Sequence, residues 1–204
     1  IGVNFPNGKQ LNLGFFGVTI PINPKPYVYY ADMYKQATYA VDSLNKMGVD
    51  LLVGLTHVNI EMDQEIARQN PDIDMILGGH EHYHIMEMEG NTTITKSDAN
   101  AKNIYVHELI YNFDEQNYHL ESTLLPINQD TPENEAVAGI VNKWNDILFD
   151  ALSQVTEDPQ EVVYRPSVTL DGRDAQSRSE QTNLGQLITQ AMKYSFNIPA
   201  DAAL

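Results

Sequence analysis

The chain reads as an α/β protein built on a parallel sheet, and three observations carry that reading. Two continuous apolar runs, Val49-Asp50-Leu51-Leu52-Val53-Gly54-Leu55 and Ile73-Asp74-Met75-Ile76-Leu77, have the form of strands covered on both faces. A helical repeat precedes each of them, Tyr34, Ala37, Val41 and Leu44 before the first and a shorter stretch from Glu61 to Gln69 before the second. Strand and helix in alternation require right-handed crossovers and therefore parallel pairing.

Taken in order, Leu11 to Ile20 is mostly apolar and predicts a buried strand ended by Pro21. Pro21 to Tyr30 is rich in proline and tyrosine and predicts a loop, with Tyr27, Tyr29, Tyr30 and Tyr34 packing as an aromatic cluster against the sheet. Gly48 is placed to cap the first helix. Beyond His84 the pattern turns β-rich and mostly antiparallel. Tyr105, His107, Leu109, Tyr111 and Phe113 alternate, Asp114 to Asn117 supplies a turn, and Tyr118 to Leu125 returns. Thr131-Pro132-Glu133 then predicts the capped start of a long helix with an apolar stripe at Val137, Val141, Trp144, Leu148, Ala151 and Val155. The expected organisation is a first domain over 1–130, a connector helix over 131–156, and the incomplete start of a second domain over 157–204, which holds one helix from Thr182 to Tyr194 with Thr182 as its N-cap.

Composition narrows the function. The 204 residues carry 28 acidic and 12 basic side chains, a formal charge of −16, which argues against a nucleic acid polymer as partner. With no cysteine, there is neither a disulfide framework nor a thiolate site, so any metal is held by His, Asp, Glu, Asn or Gln. No apolar run reaches transmembrane length and no signal peptide is visible at Ile1.

The residues that carry chemistry are Gly54-Leu55-Thr56-His57 and Gly78-Gly79-His80-Glu81-His82. Each follows a predicted parallel strand, so both open on the carboxyl edge of the sheet, where open α/β folds place their sites. Gly78 and Gly79 are expected to let the backbone turn sharply so that the imidazoles aim inward. Histidines two apart in a loop can diverge toward two points, which suits two metals. His84 is expected to open the next strand, His107 and His119 to lie in paired strands, and Arg178 either to bind a phosphate or carboxylate or to form a salt bridge within its own domain.

A strand ending in Thr-His, followed by Ile-Asp-x-Ile-Leu-Gly-Gly-His-x-His, resembles the calcineurin-like metallophosphoesterases, and within them the 5'-nucleotidase and UDP-sugar hydrolase family. Arg178-Ser179-Glu180-Gln181-Thr182-Asn183-Leu184-Gly185 resembles the start of that family's C-terminal domain, and Ala200-Asp201-Ala202-Ala203-Leu204 the strand that follows it. The resemblance implies an α/β-sandwich metallophosphoesterase domain, seen here in its C-terminal portion, then a connector helix and the start of the C-terminal domain. It implies that His57 and His80 ligate one divalent metal and His82 the other, with Zn, Mn or Fe as the family's metals and a nucleotide as substrate. Glu81 falls at a variable position, expected beside the ligands or facing solvent.

The chain departs from the family pattern in two ways. Many 5'-nucleotidases have Gln or Asn where His82 stands, which loosens the substrate assignment. The upstream Asp-x-His, Gly-Asp and Gly-Asn-His motifs are absent from residues 1 to 56. Imidazoles alone do not offset the repulsion of two dications, so the chain by itself is expected to hold fewer metals or none and to be inactive. The expected parent is a periplasmic or secreted phosphomonoesterase of the 5'-nucleotidase type. A 2',3'-cyclic nucleotide phosphodiesterase of the same family, and a non-catalytic metal-binding or interaction module, are the alternatives. Oligomeric state is not encoded legibly.

Overall fold

A computed structural model describes residues 1–162 and 164–195. The chain divides into two compact units, Ile1–Pro132 and a second that begins at Glu133.

The first unit is organised by a six-stranded sheet. Its strands are β1 (Gly2–Asn4), β2 (Gln10–Thr19), β3 (Leu51–His57), β4 (Met75–Gly78), β5 (Ile85–Glu89) and β6 (Thr92–Lys96), in spatial order β1-β2-β3-β4-β6-β5. The four central strands are parallel, and β1 and β5 close the edges antiparallel. The predicted α/β class with a parallel centre is therefore what forms. Two features differ from the expectation. A short edge strand precedes the first predicted one, and β6 joins the parallel sheet although the region after His84 read as antiparallel. The Glu89-Gly90-Asn91-Thr92 turn, with Gly90 at φ 59°, folds β5 back on β6 and lays β6 beside β4.

Helices α1 (Met33–Lys46) and α2 (Ile60–Gln69) make the crossovers. Asp32 caps α1, accepting from the Lys35 N–H at 3.1 Å, and Gly48 follows its end at φ 72°, as the sequence predicts. Both helices cover one face of the sheet, and the core between them contains Phe16, Ala37, Val41, Leu52, Ile66, Ile76 and Ile94. Tyr34 packs against this core, but Tyr27 and Tyr29 are 82% and 91% exposed, so the expected aromatic cluster does not form. Their proline-rich loop has no periodicity that would return successive rings to one face. Leu55, in register with Gly17, is 47% exposed, so the β3 run is not covered on both faces to its end.

The predicted hairpin forms as β7 (Asn103–Asn112) and β8 (Asn117–Pro126), a separate two-stranded sheet. It is tied to the main sheet by a hydrogen bond from the Tyr118 hydroxyl to the Asp74 carboxylate, which also accepts from the Leu52 N–H at 2.7 Å. Burial first, and then Asp74, push the Tyr118 phenol well above its ordinary range.

In the second unit, α3 (Glu135–Leu152) starts three residues later than Pro132 suggests. Asn134 is its cap, accepting from the Ala136 and Val137 N–H groups, while the Thr131 hydroxyl accepts instead from Asn128. Val155 lies past the end of this helix and is exposed. A short helix α4 (Asp174–Ser179) precedes α5 (Asn183–Ser195), whose first turn is capped as expected, the Gly185 N–H donating to the Thr182 hydroxyl at 3.1 Å. The strand expected at Ala200 to Leu204 lies outside the described residues.

Candidate functional site

The carboxyl edge of the parallel sheet brings the two histidine motifs together. β3 and β4 run parallel with Thr56 opposite Gly78, so His57 at the end of β3 and His80 just past β4 leave the sheet side by side. Their rings meet edge to face, centroids 5.3 Å apart and planes at 79°. His80 holds φ 89°, a left-handed conformation that costs a non-glycine residue of order 1–3 kcal/mol. Such strain persists where surrounding contacts over-determine the backbone, which is common at ligand-binding sites.

The glycines serve this geometry differently from the expectation. Neither Gly78 nor Gly79 has a positive φ; the left-handed residue is His80 itself. What the glycines provide is room. A Cβ on Gly79 would stand 3.1 Å from His57 Nδ1, and one on Gly78 would stand 2.8 Å from Lys96 Cε. The close approach of His57 to the second loop therefore needs a bare backbone at 79.

His82 is exposed, and its carbonyl faces the Ala99 N–H at 3.5 Å. The structure pairs His57 with His80 and does not draw His82 into a common donor group: among the described residues, no cluster of three or more His, Cys, Asp or Glu is placed to hold an ion. Two neutral imidazoles are suitable donors for a divalent transition metal, yet they fall short of the three or four protein ligands that retain one. What the described residues bring together is a pair of strand-end histidines. His84 precedes β5 and bonds Asp98 at 3.2 Å, while His107, in β7, has its Nδ1 2.8 Å from the Ser122 hydroxyl and is held below its ordinary pKa by burial. His119 pairs with Ile110 in β8.

Glu81 is neither solvent-facing nor a candidate ligand. One of its oxygens accepts from the Ile60 N–H at 2.7 Å, at the first residue of α2, and the other from Lys96 Nζ at 2.5 Å. Asn59, the N-cap of α2, makes no side-chain cap bond, so Glu81 stands in for it from the neighbouring loop. Burial opposes its ionisation, but the bonds from Lys96 and the backbone together hold its carboxyl below the ordinary value. Lys96 and Asp63 are completely buried, 2.9 Å apart. Desolvation raises the Asp63 pKa, and Lys96 opposes that rise.

Sequence reasoning missed Lys96 and Asp63, although one signal was present. Asp63 is in helical phase with buried Ile66, Ala67 and Asn70, and a charge on the core stripe of a helix demands a buried partner.

No family profile matches the chain. Among curated proteins it is 24% identical over 208 residues to a 5'-nucleotidase of Diplobatis ommata, covering 91% of this chain and 35% of that protein. It is 25% identical over 215 residues to the snake venom 5'-nucleotidase of Crotalus adamanteus, covering 95% of this chain and 35% of that one. The chain thus spans about a third of the length of these relatives. A solved 5'-nucleotidase precursor from Thermus thermophilus shares the fold at a TM-score of 0.68, with 23% identity, over 95% of this chain and 41% of that one. Over nearly its whole length the chain is thus similar in sequence to 5'-nucleotidases, and it shares the fold of the Thermus thermophilus precursor.

Proposed function

We propose that this chain is the histidine-bearing part of a metal-dependent phosphoesterase that releases phosphate from nucleoside monophosphates. The observation that supports this reading best is the edge-to-face pair of His57 and His80 at the carboxyl edge of the sheet. His57 and His80 would hold one divalent ion, Zn, Mn or Fe, and His82 a second, with carboxylate ligands contributed by polypeptide outside these 204 residues. Such ions, when bound, supply positive charge against a phosphoryl group. This chain's own residues fix two imidazoles in place at an edge from which water-exposed substrate can approach.

In this reading residues 1–130 belong to the phosphoesterase domain, 131–156 connect, and 157–204 begin a domain that recognises the nucleoside. Export from the cytoplasm, to the periplasm or outside the cell, is the compartment proposed, and the venom relative supports secretion. Among the described residues no helix is long and apolar enough to cross a membrane.

The test is phosphate release from a nucleoside 5'-monophosphate, with a 2',3'-cyclic nucleotide alongside, by a polypeptide joining this chain to a family-type upstream region bearing the carboxylate motifs. Metal-dependent release that His80→Ala abolishes supports the reading, while the 204 residues alone release none. Preference for the cyclic substrate would move the assignment to a phosphodiesterase. Release that is indifferent to both His57→Ala and His80→Ala would refute it.

A further inference from the structure

The residue that bears most heavily on the two histidine loops is not a histidine. Lys96 ends β6 and has no exposed side-chain surface. It stands in register with Gly78 of β4, which stands in register with Thr56 of β3, so its stem lies across the carboxyl edge directly beneath both loops. The bare Gly78 leaves the space that stem occupies. From there the ammonium reaches three groups. It donates to the Val58 carbonyl at 2.6 Å, immediately after His57, and to Glu81 Oε2 at 2.5 Å, between His80 and His82. Its third partner is Asp63 Oδ2 on α2, at 2.9 Å. Glu81 in turn grips the N-terminus of α2 through the Ile60 N–H.

We infer that Lys96 is the positioning residue of the histidine pair, acting through Glu81 and the Val58 carbonyl to lock the loop after β3 and the loop after β4 to one another. The inference rests on the metal-site reading for its functional meaning, but the clasp itself is a property of these residues. A buried ammonium between two carboxylates is a poor source of net stability, because desolvation offsets much of the Coulomb attraction. What it supplies is geometry. Two donor directions from one nitrogen are satisfied by the two segments that carry the histidines, while Asp63 faces the same ammonium as an ion pair and accepts no hydrogen bond from it. The left-handed backbone at His80 is held between Gly79, whose N–H bonds the Thr56 carbonyl at 2.8 Å, and clasped Glu81.

The choice of Glu at 81 fits this role. Its carboxylate has two acceptor oxygens and faces two donors, Ile60 N–H and Lys96 Nζ. A glutamine has one acceptor and can satisfy only one of them, while its amide group meets the ammonium. Glu81→Gln therefore opens the clasp with little change in volume.

The experiment compares the 204-residue chain, Glu81→Gln, and the triple variant D63N/E81Q/K96M, which leaves no buried charge in the cluster. Lys9→Met, which removes an exposed ion pair with Asp114, is the control. The readouts are the imidazole resonances of 13C-histidine-labelled protein and amide hydrogen exchange, both without metal, and zinc affinity by calorimetry. In both clasp variants the resonances of His57 and His80 are expected to move together as their mutual ring-current shift is lost. Exchange at residues 58–60 and 79–84 should accelerate at least tenfold while the β2–β4 core keeps its protection. A merely structural Lys96 would lower the melting temperature without moving those resonances in the folded protein, and that result overturns the inference. Where wild type binds zinc, the variants should bind roughly 10–100-fold more weakly, the usual effect of removing a group that orients a ligand. The resonances and the exchange rates, both read without metal, decide the clasp whatever the zinc affinity of the 204-residue chain.

Discussion

The imidazoles of His57 and His80 lie edge to face with centroids 5.3 Å apart, though they come from separate strand ends, and a bare glycine lies beneath their contact. A methyl group on Gly79 would press on His57 Nδ1 at 3.1 Å. Gly79→Ala is therefore expected to rotate or displace the His57 ring and to cost about 1–2 kcal/mol, in the range for tight overpacking. Histidine-selective NMR and thermal melts check this. Unchanged His57 resonances would show that the ring has slack the structure does not suggest.

Lys96→Met keeps the stem and deletes the charge, leaving Asp63 and Glu81 facing one another with Asp63 fully buried. Breaking a buried ion pair from one side typically costs about 3–5 kcal/mol, and that loss is expected in urea denaturation. Adding Asp63→Asn and Glu81→Gln should recover much of it, because the stranded charge rather than the lost attraction dominates the penalty.

Tyr118 ties the β7–β8 hairpin to the main sheet through Asp74. Tyr118→Phe removes one of the donors that stabilise a carboxylate whose pKa is already raised, by desolvation first. A loss of about 1.5–3 kcal/mol is expected, as for a hydrogen bond to a charged group. Hydrogen exchange should accelerate in β7 and β8 ahead of β3. Uniform acceleration would mean that the hairpin and the sheet unfold as one.

Asp171 is held at about 2, from an ordinary 3.8, by hydrogen bonds from the Arg173 side chain and backbone. A carboxylate depressed in the folded state contributes stability above its unfolded pKa and loses it as pH falls from 3.8 through about 2. The Asp171 carboxylate is partly exposed and Arg173 largely so, and salt screening makes that contribution small. A carboxyl-carbon NMR titration should place Asp171 at about 2 in low salt, rising toward the ordinary value in Arg173→Ala. A titration unaffected by Arg173→Ala would contradict the pairing.

The sheet was legible because its signal is periodic and local. The β3 and β4 runs, the α1 stripe with Gly48 after it, and the 103–126 hairpin all announce themselves in short stretches of contiguous sequence. The site was legible in part. Strand-end histidines can be read from sequence once the strands are parallel, since topology alone puts them on one edge. The Lys96–Asp63–Glu81 cluster was not, because its members lie 15 to 33 residues apart and meet only through register. Gly78 and Gly79 looked like turn formers for the same reason: what they accommodate is a side chain on another strand. The start of α3 was misplaced because Thr131-Pro132 and Asn134 offer competing caps, and only hydrogen-bond geometry selects Asn134.

The most direct test of the proposed metal-binding role of His57 and His80 is zinc titration of the 204-residue chain followed by calorimetry and histidine-selective NMR, with His57→Ala, His80→Ala and His119→Ala in parallel. Weak binding is expected that shifts the His57 and His80 resonances, disappears in either of those two variants, and survives in His119→Ala. Zinc binding that persists in both His57→Ala and His80→Ala would contradict that role.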